Sequence, residues 1–98
     1  MEGVQRRGGV VMYRVFFSKE ACKDKRLLNQ AGLRNKTEKL LRILSLDPFQ
    51  NSPRYESLLG ELKGYYSRRI NLQHRLVYSV DTKRKEVFVY RMWTHYEF

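Results

Sequence analysis

The apolar positions of this chain change period along its length, and the changes mark out its elements. The run Val11 to Phe17 is rich in Val, Tyr and Phe, which suits a strand whose packing is settled by its neighbours. Ser18 then stands where its side chain can accept hydrogen bonds from exposed amides at a helix start, and Glu20 adds a favourable charge in the first turn. The spacing predicts a helix from Lys19 to Gln30. Ala21, Lys25 and Leu28 share one stripe, and Ala21, Leu27, Leu28 and Ala31 follow it with the drift of 3.6 residues per turn. Gly32 ends that helix. A second, from Leu33 to Leu46, turns Leu33, Thr37, Leu40, Leu41 and Leu44 inward and Arg34, Lys36, Glu38 and Arg42 outward, until Asp47-Pro48 stops it.

Phe49 to Ser57 has the composition of an ordered surface loop, with Asn51, Ser52 and Pro53 in it. From Tyr65 the period becomes two. Tyr66, Arg68 and Ile70 face one way, with Tyr65, Ser67, Arg69 and Asn71 opposite; Leu76, Tyr78 and Val80 alternate with Arg75, Val77 and Ser79. The short Asn71 to His74 connection makes these antiparallel neighbours, Asp81 to Lys85 makes the next turn, and Glu86 to Met92 reads as a further strand. The predicted class is α+β in the order β-α-α-β-β-β, with two helices on one face of a curved, mostly antiparallel sheet and the opposite face open. Residues 1–11, with three glycines and two arginines, read as a flexible extension, and residues 12–98 as one domain with Met12 as a candidate beginning.

Charge narrows the partners. With 20 Lys or Arg against 10 Asp or Glu, the 98-residue chain has a formal net charge of +10. A hydrophobic content of 42% still supports a core, so the charge points to a polyanion or a strongly acidic protein as partner. Cys22 is the only cysteine; it has no internal disulfide partner and is expected to act as a small apolar helix residue. Apolar stretches are short and broken by charge, so no membrane partner is expected and a cytoplasmic soluble domain is the default.

Arg69, late in one predicted strand, and Arg75, opening the next, share the polar face, and a tight hairpin brings them together. Two guanidinium forks at that spacing could clamp one phosphate and stabilise charge developing on its oxygens. A solvated basic sheet edge would read the same way. Arg68 faces the other way and is the weaker candidate. His95, after Trp93, could act as a general acid, although a terminal histidine is more often plain surface; His74, in the hairpin turn, reads as structural. Glu56 could complement His95, with Glu61 as a second option. There is no HExxH, paired CxxC or clustered Asp site, so neither a metal nor a cofactor is expected. Cleavage of RNA needs neither, because the substrate's own 2′-hydroxyl can serve as nucleophile if the protein supplies a base, an acid and cationic stabilisation.

Asp47-Pro48-Phe49-Gln50-Asn51, Tyr55-Glu56-Ser57-Leu58, Leu62-Lys63-Gly64-Tyr65-Tyr66-Ser67-Arg68-Arg69-Ile70, Gln73-His74-Arg75-Leu76-Val77-Tyr78 and the terminal His95-Tyr96 together resemble the Txe/YoeB family of bacterial toxin endoribonucleases, over nearly the whole chain from Met12. The resemblance implies a compact, microbial-ribonuclease-like fold of the wider RelE/ParE kind and cleavage of messenger RNA in the decoding site of the 70S ribosome. It also implies neutralisation by a cognate acidic, YefM/Axe-like antitoxin whose DNA-binding complex occupies its own operator. Carried over by position, it implies Glu56 as base, Arg69 and Arg75 as phosphate-handling cations, and His95 with Tyr96 as terminal acid and following aromatic. The RNA-binding set is Lys63, Tyr66, Arg68, Arg69, Arg75 and Tyr96, with Tyr66 where some members have tryptophan. Glu97-Phe98 extend past the match. A noncatalytic ribosome or RNA binder is the alternative, and a gyrase-directed toxin of the same broad fold a remoter one.

Overall fold

A computed structural model describes residues 12–93. The expectations for residues 1–11, His95, Tyr96 and Glu97-Phe98 lie outside the described residues. The elements are β1 (Arg14–Phe17), α1 (Lys19–Gln30), α2 (Arg34–Leu46), β2 (Tyr55–Ser57), a 3-10 turn (Gly60–Leu62), β3 (Tyr66–Arg69), β4 (Arg75–Asp81) and β5 (Glu86–Arg91). They form the expected α+β architecture around a five-stranded sheet of order β1-β5-β4-β3-β2. The sheet is antiparallel except at one edge, where β1 lies parallel to β5 with Arg14 opposite Glu86.

Both helices form where their local chemistry dictates. Ser18 Oγ accepts the Ala21 amide at 2.9 Å, which starts α1. Gly32, at φ +78°, takes the left-handed turn that ends the helical segment without the clash a side chain would meet. After α2 the chain becomes extended at Asp47, whose carboxylate accepts the Phe49 amide at 3.0 Å.

The core lies between the helices and one sheet face. Ala21 and Leu28 of α1 and Leu40, Leu41 and Leu44 of α2 pack with Ile70, Leu76, Tyr78, Val87, Val89 and Met92. The predicted stripe on α1 needs one correction. Leu27 and Ala31 are exposed, and the buried line runs through Ala21, Asp24 and Leu28. Asp24 is tolerated inside because its Oδ2 accepts both the Arg91 Nε–H and the Met92 amide at 2.9 Å. This tie fastens α1 to the end of β5. Cys22, expected as an apolar helix residue, is exposed.

A second correction concerns the loop after α2. Tyr55–Ser57 is a strand that pairs with β3, Glu56 opposite Ser67, so Glu56 stands on the sheet edge and not on a loop. No helix among the described residues is long and apolar enough to cross a membrane.

Candidate active site on the open sheet face

Three strands bring the candidate residues together by register. Glu56 lies opposite Ser67, Ser67 opposite Val77, and Arg69 opposite Arg75. Alternation then puts Glu56, Ser67, Arg69 and Arg75 on the sheet face away from the helices. The hairpin that aligns them is set by Asn71, whose side-chain oxygen accepts the Gln73 and His74 amides at 2.9 and 2.7 Å.

The four side chains, with Pro53 and Arg54, line a pocket of about 210 Å³. Within it, Arg75 Nη1 donates to Ser67 Oγ at 2.9 Å and to Glu56 Oε1 at 3.3 Å. Arg54 Nη2 approaches the second carboxylate oxygen at 3.9 Å. Burial separates the two partners of this ion pair. The Arg75 side chain is 12% exposed and held by its neighbours, whereas the Glu56 side chain is 43% exposed and can meet a molecule entering from solvent. Arg69 is exposed and makes no side-chain hydrogen bond or ion pair among the described residues, so its planar fork is available to an anion. A carboxylate able to accept a proton thus shares one pocket with a fixed cation and an available one.

The other predicted residues fall elsewhere. Arg68 is wholly buried on the opposite face, and the expected RNA contact from it is incompatible with that burial. Its Nε–H donates to the Tyr78 hydroxyl at 3.1 Å, and its terminal nitrogens donate to the carbonyls of Pro53, Pro48 and Gln50 at 2.6, 2.9 and 2.7 Å. Tyr66 shares that face and packs edge-on to Phe49 and Tyr55, with ring centroids 5.4 and 5.7 Å away, so it lies across the sheet from the pocket. Lys63 and Glu61 are exposed around the 3-10 turn and line neither the pocket nor its rim. His74 is structural, as expected: it is buried, its Nδ1 bonds the Trp93 carbonyl oxygen, and its ring stacks on Trp93 at 4.1 Å. Sequence reasoning passed over Ser67. Its signal was a small polar residue alternating with Arg69 on the polar face.

Burial pushes the Tyr78 phenol from its ordinary 10.0 up to about 12, against the opposing pull of the Arg68 guanidinium. Its hydroxyl is therefore neutral, and it donates a hydrogen bond to the Pro48 carbonyl at 2.8 Å. Among the described residues, no group of three or more His, Cys, Asp or Glu is placed to hold a metal ion.

Comparison with known proteins places the chain in a family. Residues 17–96 match the family profile described as the YoeB-like toxin of bacterial type II toxin-antitoxin systems. Over 57 residues the chain is 42% identical to Toxin YoeB of a Synechocystis species, a match spanning 58% of this chain and 59% of that protein. The solved YoeB/ParE toxin from Agrobacterium tumefaciens superposes with a TM-score of 0.77 at 28% identity, covering 85% of this chain and 99% of that one. A chain of the solved YoeB-YefM complex from Staphylococcus aureus gives a TM-score of 0.71 at 33% identity, covering 86% of this chain and 98% of that one. The chain belongs to the YoeB-like family of toxins from bacterial type II toxin-antitoxin systems.

Proposed function

We propose that this toxin is a metal-independent endoribonuclease that cuts messenger RNA during translation, in the decoding site of the 70S ribosome. The observation that carries the proposal is the convergence of Glu56, Arg69 and Arg75 on one pocket of the open sheet face. Glu56 takes the proton from the 2′-hydroxyl, whose oxygen attacks the adjacent phosphorus. Arg69 and Arg75 stabilise the charge that builds on the phosphate oxygens. His95 gives a proton to the departing 5′-oxygen, with Tyr96 beside it in sequence as the aromatic neighbour. The products carry a 2′,3′-cyclic phosphate, or the 3′-phosphate formed when it opens, and a new 5′-hydroxyl.

An acidic, YefM-like antitoxin is the proposed partner, and the toxin-antitoxin complex is proposed to occupy operator DNA through the antitoxin. The net charge of +10 and the solved YoeB-YefM complex of the Staphylococcus aureus relative support this partner. Copurification from a strain expressing both genes tests the pairing.

Primer extension on translated RNA with 70S ribosomes tests the activity and should give codon-linked ends with wild type. Glu56→Gln and His95→Gln should leave only a slow residual cleavage, measurable in single-turnover reactions and faint in primer extension. Equal ribosome occupancy and translational inhibition by all three proteins, without new RNA ends, would establish the noncatalytic reading instead.

A further inference from the structure

Arg68 is a guanidinium at zero exposure with no carboxylate partner among its contacts. Burying such a cation is costly unless its donors are met, and a core position alone would be filled more favourably by an apolar side chain. Here the donors are met by three backbone carbonyls of one loop, those of Pro48, Gln50 and Pro53, together with the Tyr78 hydroxyl. The cation also stands 5.0 Å from the centre of the Tyr55 ring, and Tyr55 is its cross-strand neighbour.

Two of these contacts, Tyr55 and Pro53, lead to the pocket. Tyr55 precedes Glu56, and Pro53 forms part of the pocket wall. Ser67 and Arg69, on either side of Arg68 in the chain, face the pocket from the other side of the sheet. Strand β2 has three residues and, among the described residues, one strand neighbour, so its own ladder is a weak anchor for a carboxylate that must be held to a fraction of an ångström.

Resting on the nuclease reading above, we infer that Arg68 is a positioning residue: from the buried side of β3 it clamps residues 48–55 and so sets Glu56 against Arg75. Only a planar fork can satisfy this set of acceptors. A lysine would keep the charge but has one nitrogen to offer carbonyls that lie in several directions.

The test is a mutant cycle in the full chain, read by single-turnover cleavage at saturating translating ribosomes. Folded Arg68→Lys should lose about 10- to 100-fold in cleavage rate, the scale of a small misplacement of reacting groups, while ribosome affinity stays within about twofold. Amide exchange should quicken at residues 49–57 and not in α1 or β5. In a Glu56→Gln background, Arg68→Lys should add almost nothing, because Arg68 acts through Glu56. If Arg68→Lys does not fold, Tyr78→Phe carries the test: it removes one acceptor of the clamp and should slow cleavage severalfold, again without further effect beside Glu56→Gln. An unchanged rate in the folded variant, or a penalty that multiplies with that of Glu56→Gln, overturns the inference. Wild type that fails to cut overturns the nuclease reading itself, a result distinct from an active wild type beside an unimpaired Arg68→Lys.

Discussion

Glu56 Oε1 and Arg75 Nη1 stand 3.3 Å apart across the open sheet face, so the proposed base and the proposed phosphate clamp are already partners before substrate arrives. On the proposed mechanism, an entering phosphate would compete for the guanidinium and leave the carboxylate to the 2′-hydroxyl. Arg75→Ala should therefore slow single-turnover cleavage by about a hundredfold to a thousandfold, or about 2.7 to 4 kcal/mol, with a smaller effect on ribosome binding. A near wild-type rate in the folded variant would return Arg75 to an ordinary surface charge.

Ser67 gives a graded version of the same experiment. Its hydroxyl accepts from Arg75 at 2.9 Å, and Ser67→Ala removes one neutral acceptor while leaving the cation in place. The expected loss is about 1 kcal/mol, roughly fivefold in rate, and adding Arg75→Ala should cost no more than Arg75→Ala alone. A full additional fivefold would show that Ser67 acts on its own.

Lys36 and Lys39 line a groove of about 600 Å³ that also takes in Arg69 and Pro53, both shared with the candidate pocket around Glu56. Arg42 lies outside that groove. Alanine at Lys36 or at Lys39 should weaken association with RNA or ribosomes at low salt and flatten its salt dependence, each by more than Arg42→Ala does. Equal effects of the three lysine and arginine positions, titrated against ionic strength, would show that the groove adds nothing to general charge.

Asp24→Ala should destabilise the fold by about 2 to 3 kcal/mol, because it removes charge-assisted acceptors from Arg91 and the Met92 amide. Chemical denaturation measures that loss. The cleavage rate of the folded fraction should be unaffected, since Asp24 lies on α1, outside the pocket lining.

Alkaline unfolding should report Tyr78. Its phenol titrates near 12 in the folded chain and near its ordinary 10.0 when unfolded, so above pH 10 the unfolded chain gives up its proton first. Stability is fully present below about pH 10 and falls between about pH 10 and 12. Tyr78→Phe should flatten this limb while lowering stability at neutral pH, where the hydroxyl bonds Arg68 and Pro48. An unchanged slope above pH 10 in denaturation curves would contradict this assignment.

The helices and the meeting of Arg69 with Arg75 were legible because each depends on nearby residues: a capping serine, a terminating Asp47-Pro48, a short turn. Asp24 was not, since its partner Arg91 is 67 positions away and an acid within an apolar period reads as surface. Alternation gave Arg68 its correct face but could not show that the loop after α2 would roof it with carbonyls. Strand β2 was hidden by its brevity and by the turn-forming residues before it; pairing with β3, not propensity, makes it a strand.

The parallel edge has a consequence for how the molecule comes into being. Arg14 pairs with Glu86 across 72 positions, whereas β2, β3 and β4 meet through short connections. At synthesis rates of roughly 5–20 residues per second, β1 waits on the order of 4–14 s for β5, its strand neighbour among the described residues. During that time the helices have one flank of their sheet missing. The flank of the sheet under the helices therefore closes only after Glu86–Arg91 has been made, so a nascent chain cut short before β5 leaves β1 without the partner that fixes it.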